Sequence, residues 1–367
     1  MSVVTYKCPN CDGELTFDPS SQKFACPYCM SSFTQAQLDD LAPASAGEPK
    51  AEQPTEGAGP AAERAHAAGQ GGSAEEEDQA CLFTCPSCGA EITASSTTAA
   101  TECFYCHNPV ILTGRLDGAF LPQKIVPFKI SREEAVERFL AWGKKKWFIP
   151  KRFFNKKNIE KLTGVYFPYW LVDADVRGTM TARAERVRTW RKGNTEYIET
   201  SHYELFREAD IHLEDIIKNG LKKSDRILID SVHPYDSKDM IPFSMPYLSG
   251  FQAEKRDTER DELEMEVQGD IQNYTNALLR DTMSGYSAIV PVDGQAQIQK
   301  ENWDYTLLPV WTFTYQGHNK KVYFYAMNGQ TGAVYGKLPV DYLKLGIVAG
   351  IIFAVLFVLL LIEGFLL

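Results

Sequence analysis

Eight of the nine cysteines stand in four C-x-x-C pairs, which are the residues of this sequence best suited to chemistry. They are Cys8, Cys11, Cys26, Cys29, Cys85, Cys88, Cys103 and Cys106. Each pair places two thiolates on one tight turn, and two such turns joined by a short β-hairpin complete a tetrahedral shell of four sulfurs around Zn2+. The spacing predicts two zinc ribbons, each with one structural Zn2+, because four cysteines leave no open position for water.

The second set of cysteines repeats the first at a constant offset of 77 residues. The flanking residues also repeat, since Tyr28 precedes Cys29 as Tyr105 precedes Cys106, so one small module is duplicated. Disulfides, a redox C-x-x-C and an iron–sulfur cluster are the alternatives, but redox motifs do not come as paired knuckles. Cys81 and His107 fall outside the pattern. Either could substitute as a metal ligand, but the simpler interpretation is a spare thiol and a surface imidazole.

The chain of 367 residues is longer than one hydrophobic core usually serves, so several folded units are expected. Between the two cysteine sets the sequence is rich in Ala, Gly, Pro and Glu and has no apolar periodicity. The predicted units are zinc ribbon 1 at 1–41, a disordered acidic linker at 42–80, zinc ribbon 2 at 81–112, an α+β cytosolic domain at 113–342 and a transmembrane helix at 343–367. The fold class is α+β.

Residues 113–342 show both helical and strand periodicity. Ser131 begins a capping box with Glu134, and the helix that follows has an apolar face ending at Trp147. A second helix is predicted over 257–283, with an apolar stripe formed by Leu263, Val267, Ile271, Tyr274 and Leu278. Aromatic and β-branched residues predict strands at 166–180, 197–206, 288–292, 309–315 and 322–327, and a hairpin over 322–335.

The C-terminal segment predicts a membrane anchor. Residues 345–362 are eighteen consecutive uncharged residues, and the 23 residues to position 367 would span about 34 Å, enough for a hydrocarbon core of roughly 30 Å. Lys337 and Lys344 flank the segment, and the N-terminus has no signal-peptide pattern. We therefore expect a single-pass protein of the cell membrane with its soluble domains in the cytoplasm, and we expect Glu363 to lie at headgroup level.

Motifs for catalysis are missing from the sequence. It has no nucleophile elbow, phosphate loop, dinucleotide fingerprint or zinc-protease helix, so we do not expect an enzyme. The net charge of −10 comes from the first third of the chain, and residues 81–112 contain no Lys or Arg. Phosphate contacts supply most nucleic-acid affinity, so a nucleic-acid partner is not favoured.

One basic and aromatic stretch lies at 144–157. It could rest on anionic lipid headgroups or contact the phosphates of a nucleic acid. The simpler interpretation is a solvated helix end whose aromatic side chains pack inward.

The motifs together resemble those of a known family. They are the paired Cys-Pro-x-Cys ribbons, Pro168-Tyr169-Trp170, Pro309-Val310-Trp311, the turn Asn328-Gly329-Gln330-Thr331-Gly332 and the terminal apolar helix. This set is similar to that of the bacterial membrane-anchored TFIIB-type zinc-ribbon proteins, YdjG-like. The resemblance implies a membrane adaptor, in some relatives linked with SPFH-type proteins and envelope stress.

Two functions are therefore expected, of which the first is favoured. One is an adaptor whose ribbons recruit a protein partner to the cytoplasmic face of the membrane. The other is a nucleic-acid-binding ribbon protein linked to transcription or replication.

Overall fold

The structure is a computed structural model, and every structural statement below concerns the residues that it describes. These are residues 3–4, 6–41, 81–85, 91–94, 97–103, 108–112, 116, 118–150, 153, 159, 161–222, 231–316 and 322–366. The predicted linker at 42–80, Cys88, Cys106, His107 and most of 151–158 lie outside them.

The first cysteine set lies in a small β unit. Its elements are β1 (Val3–Val4), β2 (Thr16–Asp18), β3 (Lys23–Ala25), β4 (Ser32–Phe33) and helix α1 (Gln35–Leu41). Strands β2, β3 and β4 form an antiparallel sheet. The β2–β3 turn is closed by Asp18, whose carboxylate accepts hydrogen bonds from Ser20 N and Ser21 Oγ. This hairpin is the connection that the knuckle spacing predicts.

The described residues around the second cysteine set include four short strands. They are β5 (Cys81–Thr84), β6 (Glu91–Ala94), β7 (Thr98–Glu102) and β8 (Pro109–Leu112). Strands β5 and β6 pair with each other, whereas β7 and β8 belong to the large sheet of the protein. Strand β1 pairs with β8, with Val3 opposite Leu112. The two cysteine units are therefore joined by backbone hydrogen bonds.

The remaining elements form the α+β part of the chain. In order they are β9 (Lys124–Ile125), α2 (Arg132–Lys144), β10 (Thr163–Lys192), β11 (Thr195–Asn219), β12 (Ile241–Pro242), β13 (Gln252–Glu254), α3 (Arg260–Asp281), β14 (Ala288–Gln316), β15 (Val322–Asn328), β16 (Val334–Gly336) and α4 (Tyr342–Leu366). The main path of the sheet runs β1-β8-β7-β13-β10-β14-β15-β16. Strand β11 lies off this path and pairs with β10 from Tyr169 to Lys192. Strands and helices are mixed, as the α+β prediction requires.

The strands are much longer than the apolar pattern predicts. Strand β10 has 30 residues, and β14, with 29, covers two of the predicted strands. Beyond Ala184 the strand β10 is exposed, and its alternating charges face partners on β11, with Arg188 opposite Glu199. Such cross-strand charge pairs stabilise a sheet even where few apolar side chains are buried. The strand pairing therefore continues past the point where the alternating apolar pattern of the sequence ends.

Helix α2 begins and packs as its sequence indicates. Ser131 is its N-cap, and the Ser131 side chain accepts a hydrogen bond from Glu134 N. Ala135, Phe139 and Gly143 are buried against the sheet. Trp147 lies beyond the end of the helix and is exposed, so its placement on the buried helical face is wrong.

Helix α3 lies across β10, β11 and β14. Its buried stripe begins as predicted, at Leu263, Val267 and Ile271, but continues through Thr275 and Leu279. Tyr274 and Leu278 are 49% and 46% exposed, so the prediction that they are buried is wrong. The stripe follows a constant i+4 step, which drifts around a helix of 3.6 residues per turn and fits a twisted sheet.

Helix α4 is the one candidate membrane span among the described residues. Its segment Tyr342–Ile362 has 21 residues and a mean hydropathy of 3.2, and none of this apolar span is buried. The length and composition are sufficient to cross a membrane, which is consistent with single-pass anchoring.

Candidate metal centre

The four cysteines of the first set converge on one point. Their Sγ atoms all lie within 4.8 Å of one another, and the Cys8–Cys29 and Cys11–Cys26 pairs are 3.6 and 3.5 Å apart. A disulfide would require about 2.05 Å. Tetrahedral zinc with Zn–S bonds of about 2.3 Å requires sulfurs roughly 3.8 Å apart, close to the separations found. The geometry fits a single metal ion held by four sulfurs.

Backbone turns bring these thiols together. Asp12 N donates to Cys8 O and Met30 N donates to Cys26 O, so each C-x-x-C folds into a closed turn. Asp12 and Met30, each directly after the second cysteine of its pair, both have positive φ values, of 58° and 59°. Cys8 and Cys26 are buried, whereas Cys11 and Cys29 are exposed.

The electrostatics of the cluster also favour a cation. The side chain of Ser31, 3.3 Å from Cys29 Sγ, and its backbone N–H lower the pKa of the Cys29 thiol to about 6. A hydrogen bond from the Gly13 backbone lowers the pKa of Cys11, but the sulfurs of Cys29 and Cys26 outweigh it and raise that pKa to about 12. Four thiols this close cannot all ionise without a positive charge among them, and a divalent metal supplies that charge.

The unit that carries the first cysteine set is docked on the α+β part of the chain. The rings of Phe17 and Phe24 meet the ring of Tyr247 at centroid separations of 5.0 and 5.4 Å. Phe17 N donates to Ser249 O at 3.0 Å, and Phe17, Phe24 and Leu15 belong to the main hydrophobic core. The predicted ribbon is therefore held at a fixed place on the molecule, which the acidic linker in the sequence did not suggest.

Two large apolar side chains of this unit are exposed. Tyr28 and Met30, which flank Cys29, are 67% and 84% exposed. The Tyr28 ring lies over Gly13, where an added Cβ would come within 2.6 Å of Tyr28 Cδ2. The first knuckle therefore positions the side chain that the second knuckle presents to solvent.

The second cysteine set is described in part. Cys85 and Cys103 are buried together with Phe83, Ala94, Val110 and Leu112. Cys88 and Cys106 lie outside the described residues, so the second four-cysteine site and the count of two Zn2+ stay predictions.

Comparison with known proteins identifies the family. The "Uncharacterized protein YdjG" of Bacillus subtilis (strain 168) is 30% identical over 339 residues, which cover 92% of this chain and 91% of that protein. This chain belongs to the YdjG family. No family model and no solved structure matches the sequence, so the classification of this YdjG-family chain as a TFIIB-type zinc-ribbon protein stays a prediction.

Sequence reasoning predicted the four cysteines that converge at the first site but not the residues around them. Ser31 is hydrogen-bonded to Cys29, Gly13 leaves space for the Tyr28 ring, and Tyr247 contacts Phe17 of the ribbon. Ser31 and Gly13 each stand two residues after a ligand cysteine, a local signal that could have been used. Tyr247 is far away in sequence, and no local pattern marks it.

Proposed function

We propose that this protein is a membrane-anchored zinc-ribbon adaptor that binds a protein partner at the cytoplasmic face of the membrane. The first site holds one structural Zn2+ through Cys8, Cys11, Cys26 and Cys29, and the second holds another through Cys85, Cys88, Cys103 and Cys106. The metal stabilises each fold and takes no part in catalysis. SPFH-type membrane proteins are the partner class that the family resemblance suggests.

The exposed pair Tyr28 and Met30 is the observation that carries the proposal. Their backbone is constrained by the knuckle, so little conformational entropy is lost when a partner covers them. Tyr and Met are both enriched at protein interfaces, and an aromatic ring on a rigid turn is a typical anchor residue. Phe17 and Phe24 of the ribbon are already in contact with Tyr247, whereas Tyr28 and Met30 are exposed.

The proposed location follows from α4 and its flanks. The span Tyr342–Ile362 supplies one membrane crossing. Lys337 and Lys344 stand on the side of the soluble part, which the positive-inside rule assigns to the cytoplasm. Four unpaired cysteines in the first ribbon also suit a reducing compartment.

Site-specific photo-crosslinking in intact cells tests the proposal. A crosslinker at Met30 should give one discrete protein adduct, whereas a crosslinker at Ser20, an exposed residue on the β2–β3 turn, should give none. Tyr28→Ser should reduce the Met30 adduct at least tenfold without loss of zinc, because it removes the anchor and leaves the ligands intact. Cys26→Ser should abolish the adduct and the Zn2+ of the first site, and should leave any Zn2+ of the second site in place. Equal adducts from Met30 and Ser20 would contradict the proposal.

The nucleic-acid function makes the opposite prediction. The solubilised full-length protein should then bind duplex or single-stranded DNA or RNA tightly, with an affinity that falls steeply as salt rises. The ribbons are acidic or lack basic side chains, and we expect no such binding at physiological ionic strength. Salt-sensitive nucleic-acid binding that is lost in Cys26→Ser would replace the adaptor proposal with this one.

A further inference from the structure

A cationic turn with one large aromatic side chain follows α2. Lys144, Lys145 and Lys146 are exposed, and the next residue, Trp147, is 82% exposed. We call residues 144–147 the KKKW surface. A tryptophan side chain carries a large apolar area that gains free energy when it leaves water, so its exposure is unusual.

Buried residues on both sides hold the KKKW surface in place. Phe139 and Gly143 of α2 are buried before it, and Ile149 is buried after it. Lys146 N donates to Gly143 O at 3.0 Å, and Lys146 Nζ lies 5.9 Å from the Trp142 ring centroid. The exposure of Trp147 therefore results from a packed turn that directs this side chain outward.

The same turn is bonded to the beginning of α4. Asp341 N donates to Phe148 O at 2.6 Å, and Lys344 Nζ donates to Ile149 O at 2.7 Å. Tyr342 and Leu343, in the first turn of α4, are themselves largely exposed. Phe148 and Ile149, the two residues that follow Trp147, are therefore hydrogen-bonded to the beginning of the candidate membrane span.

The charges near this surface are mainly positive. Lys337 is exposed on the chain that leads into α4. Asp341 is the nearby acid, and its carboxylate lies 3.7 Å from Lys344 Nζ, whose charge it offsets. The three lysines of the KKKW surface form no ion pair with a described residue at this place. They are available to an anion.

We propose that the KKKW surface binds the anionic phospholipid headgroups of the leaflet that α4 enters, and so fixes the orientation of the soluble part on the membrane. This inference rests on the membrane anchoring of the proposed function. Tryptophan is the residue that best suits the water–lipid interface, since its ring is apolar and its N–H can meet a headgroup. Each lysine near an anionic leaflet adds attraction, and the bonds to α4 hold all of them at headgroup level.

Tryptophan quenching by lipid tests this surface in the full-length protein. The chain is reconstituted in nanodiscs whose lipids carry bromine near the headgroup, with either phosphatidylcholine alone or added phosphatidylglycerol. The difference in quenching between the unmodified protein and Trp147→Ser gives the contribution of Trp147. Trp190→Ser is the matched control, because Trp190 is also exposed but stands at the far end of β10 from the strands that lead into α4.

The expected result is strong quenching of Trp147 that increases with phosphatidylglycerol, and none of Trp190. Each of Lys144→Gln, Lys145→Gln and Lys146→Gln should lower the ratio of quenched to unquenched Trp147 about fivefold. Quenching that is absent, or equal in both lipids, would overturn the inference. A blue shift of Trp147 emission that depends on protein concentration, without quenching, would assign the surface to a second copy of the chain instead.

A failure of the anchor itself gives a different result. If α4 does not span the bilayer, the chain will not co-purify with nanodiscs after an alkaline wash, and both the anchoring and the lipid contact are refuted. If the chain co-purifies but Trp147 is not quenched, only the contact of the KKKW surface is refuted.

Discussion

Replacing Tyr247 with alanine tests whether the first metal site depends on the α+β part of the chain. Tyr247 forms two edge-on ring contacts, with Phe17 at 5.0 Å and with Phe24 at 5.4 Å, and supplies no metal ligand. Aromatic pairs of this kind contribute about 0.5–1.5 kcal/mol each, so the substitution should weaken docking by about 1–3 kcal/mol.

This loss should appear as weaker zinc binding. Metal binding to a ribbon is coupled to its folding, so the free energy of docking adds to the apparent affinity for Zn2+. At 1.4 kcal/mol for each factor of ten, Tyr247→Ala should lower the zinc affinity of the first site about 5- to 150-fold. The measurement is a competitive titration of the solubilised full-length protein with a chromogenic chelator, and the same titration of Cys8→Ser reports any zinc held elsewhere.

A matched control separates docking from a general loss of stability. Tyr203 forms a similar contact with Tyr286, at 5.3 Å and 64°, on the β10–β11 hairpin away from the metal site. Tyr203→Ala should leave the zinc affinity unchanged. If Tyr247→Ala also leaves it unchanged, the ribbon folds and binds metal independently, and the reasoning from the docked geometry is wrong.

Three further predictions concern the anchor, the core and pH. Deletion of residues 343–367 should release the protein into the soluble fraction, as checked by sedimentation after membrane washing. A Cβ at Gly178 would lie 2.5 Å from Thr275 Cγ2, so Gly178→Ala should destabilise the fold by about 1–3 kcal/mol in urea denaturation, and Thr275→Ser should restore part of that loss. Burial lowers the pKa of His233 to about 4. In the unfolded chain this imidazole takes up a proton near pH 6.5, whereas in the folded protein it stays neutral down to about pH 4. Protons therefore favour the unfolded state in this range, and the free energy of unfolding should fall as the pH decreases from about 6.5 to 4. His233→Phe should show a smaller fall in thermal melts at these pH values.

The sequence predicted the parts of the structure that local spacing determines. The sulfurs of Cys8, Cys11, Cys26 and Cys29 meet because each knuckle is a single turn and the turns are linked by one hairpin. The N-cap of α2 was predictable for the same reason, since Ser131 and Glu134 belong to one turn. The four ligands of the second ribbon rest on the same spacing and stay a prediction.

The parts that were not predicted depend on tertiary contacts or lack an apolar signal. The exposed region of β10 is mostly charged and has no alternating apolar face, so no apolar signal distinguishes it from a loop. The drift of the α3 stripe toward Thr275 and Leu279 follows the twist of the sheet beneath it. The position of Trp147 is set by the bonds between 148–149 and the start of α4, which join residues nearly two hundred positions apart.

The pairing of β1 with β8 has a consequence for the covalent chain. Val3 and Val4 are bonded into the same sheet as Leu112 and Ile111, and Phe17 and Phe24 are packed on Tyr247. Residues 1–41 are therefore attached to the rest of the molecule by many noncovalent contacts as well as through the peptide bonds of 42–80. A protease cut within 42–80 should leave two pieces that purify together, and the two halves made from separate genes should assemble as a split protein.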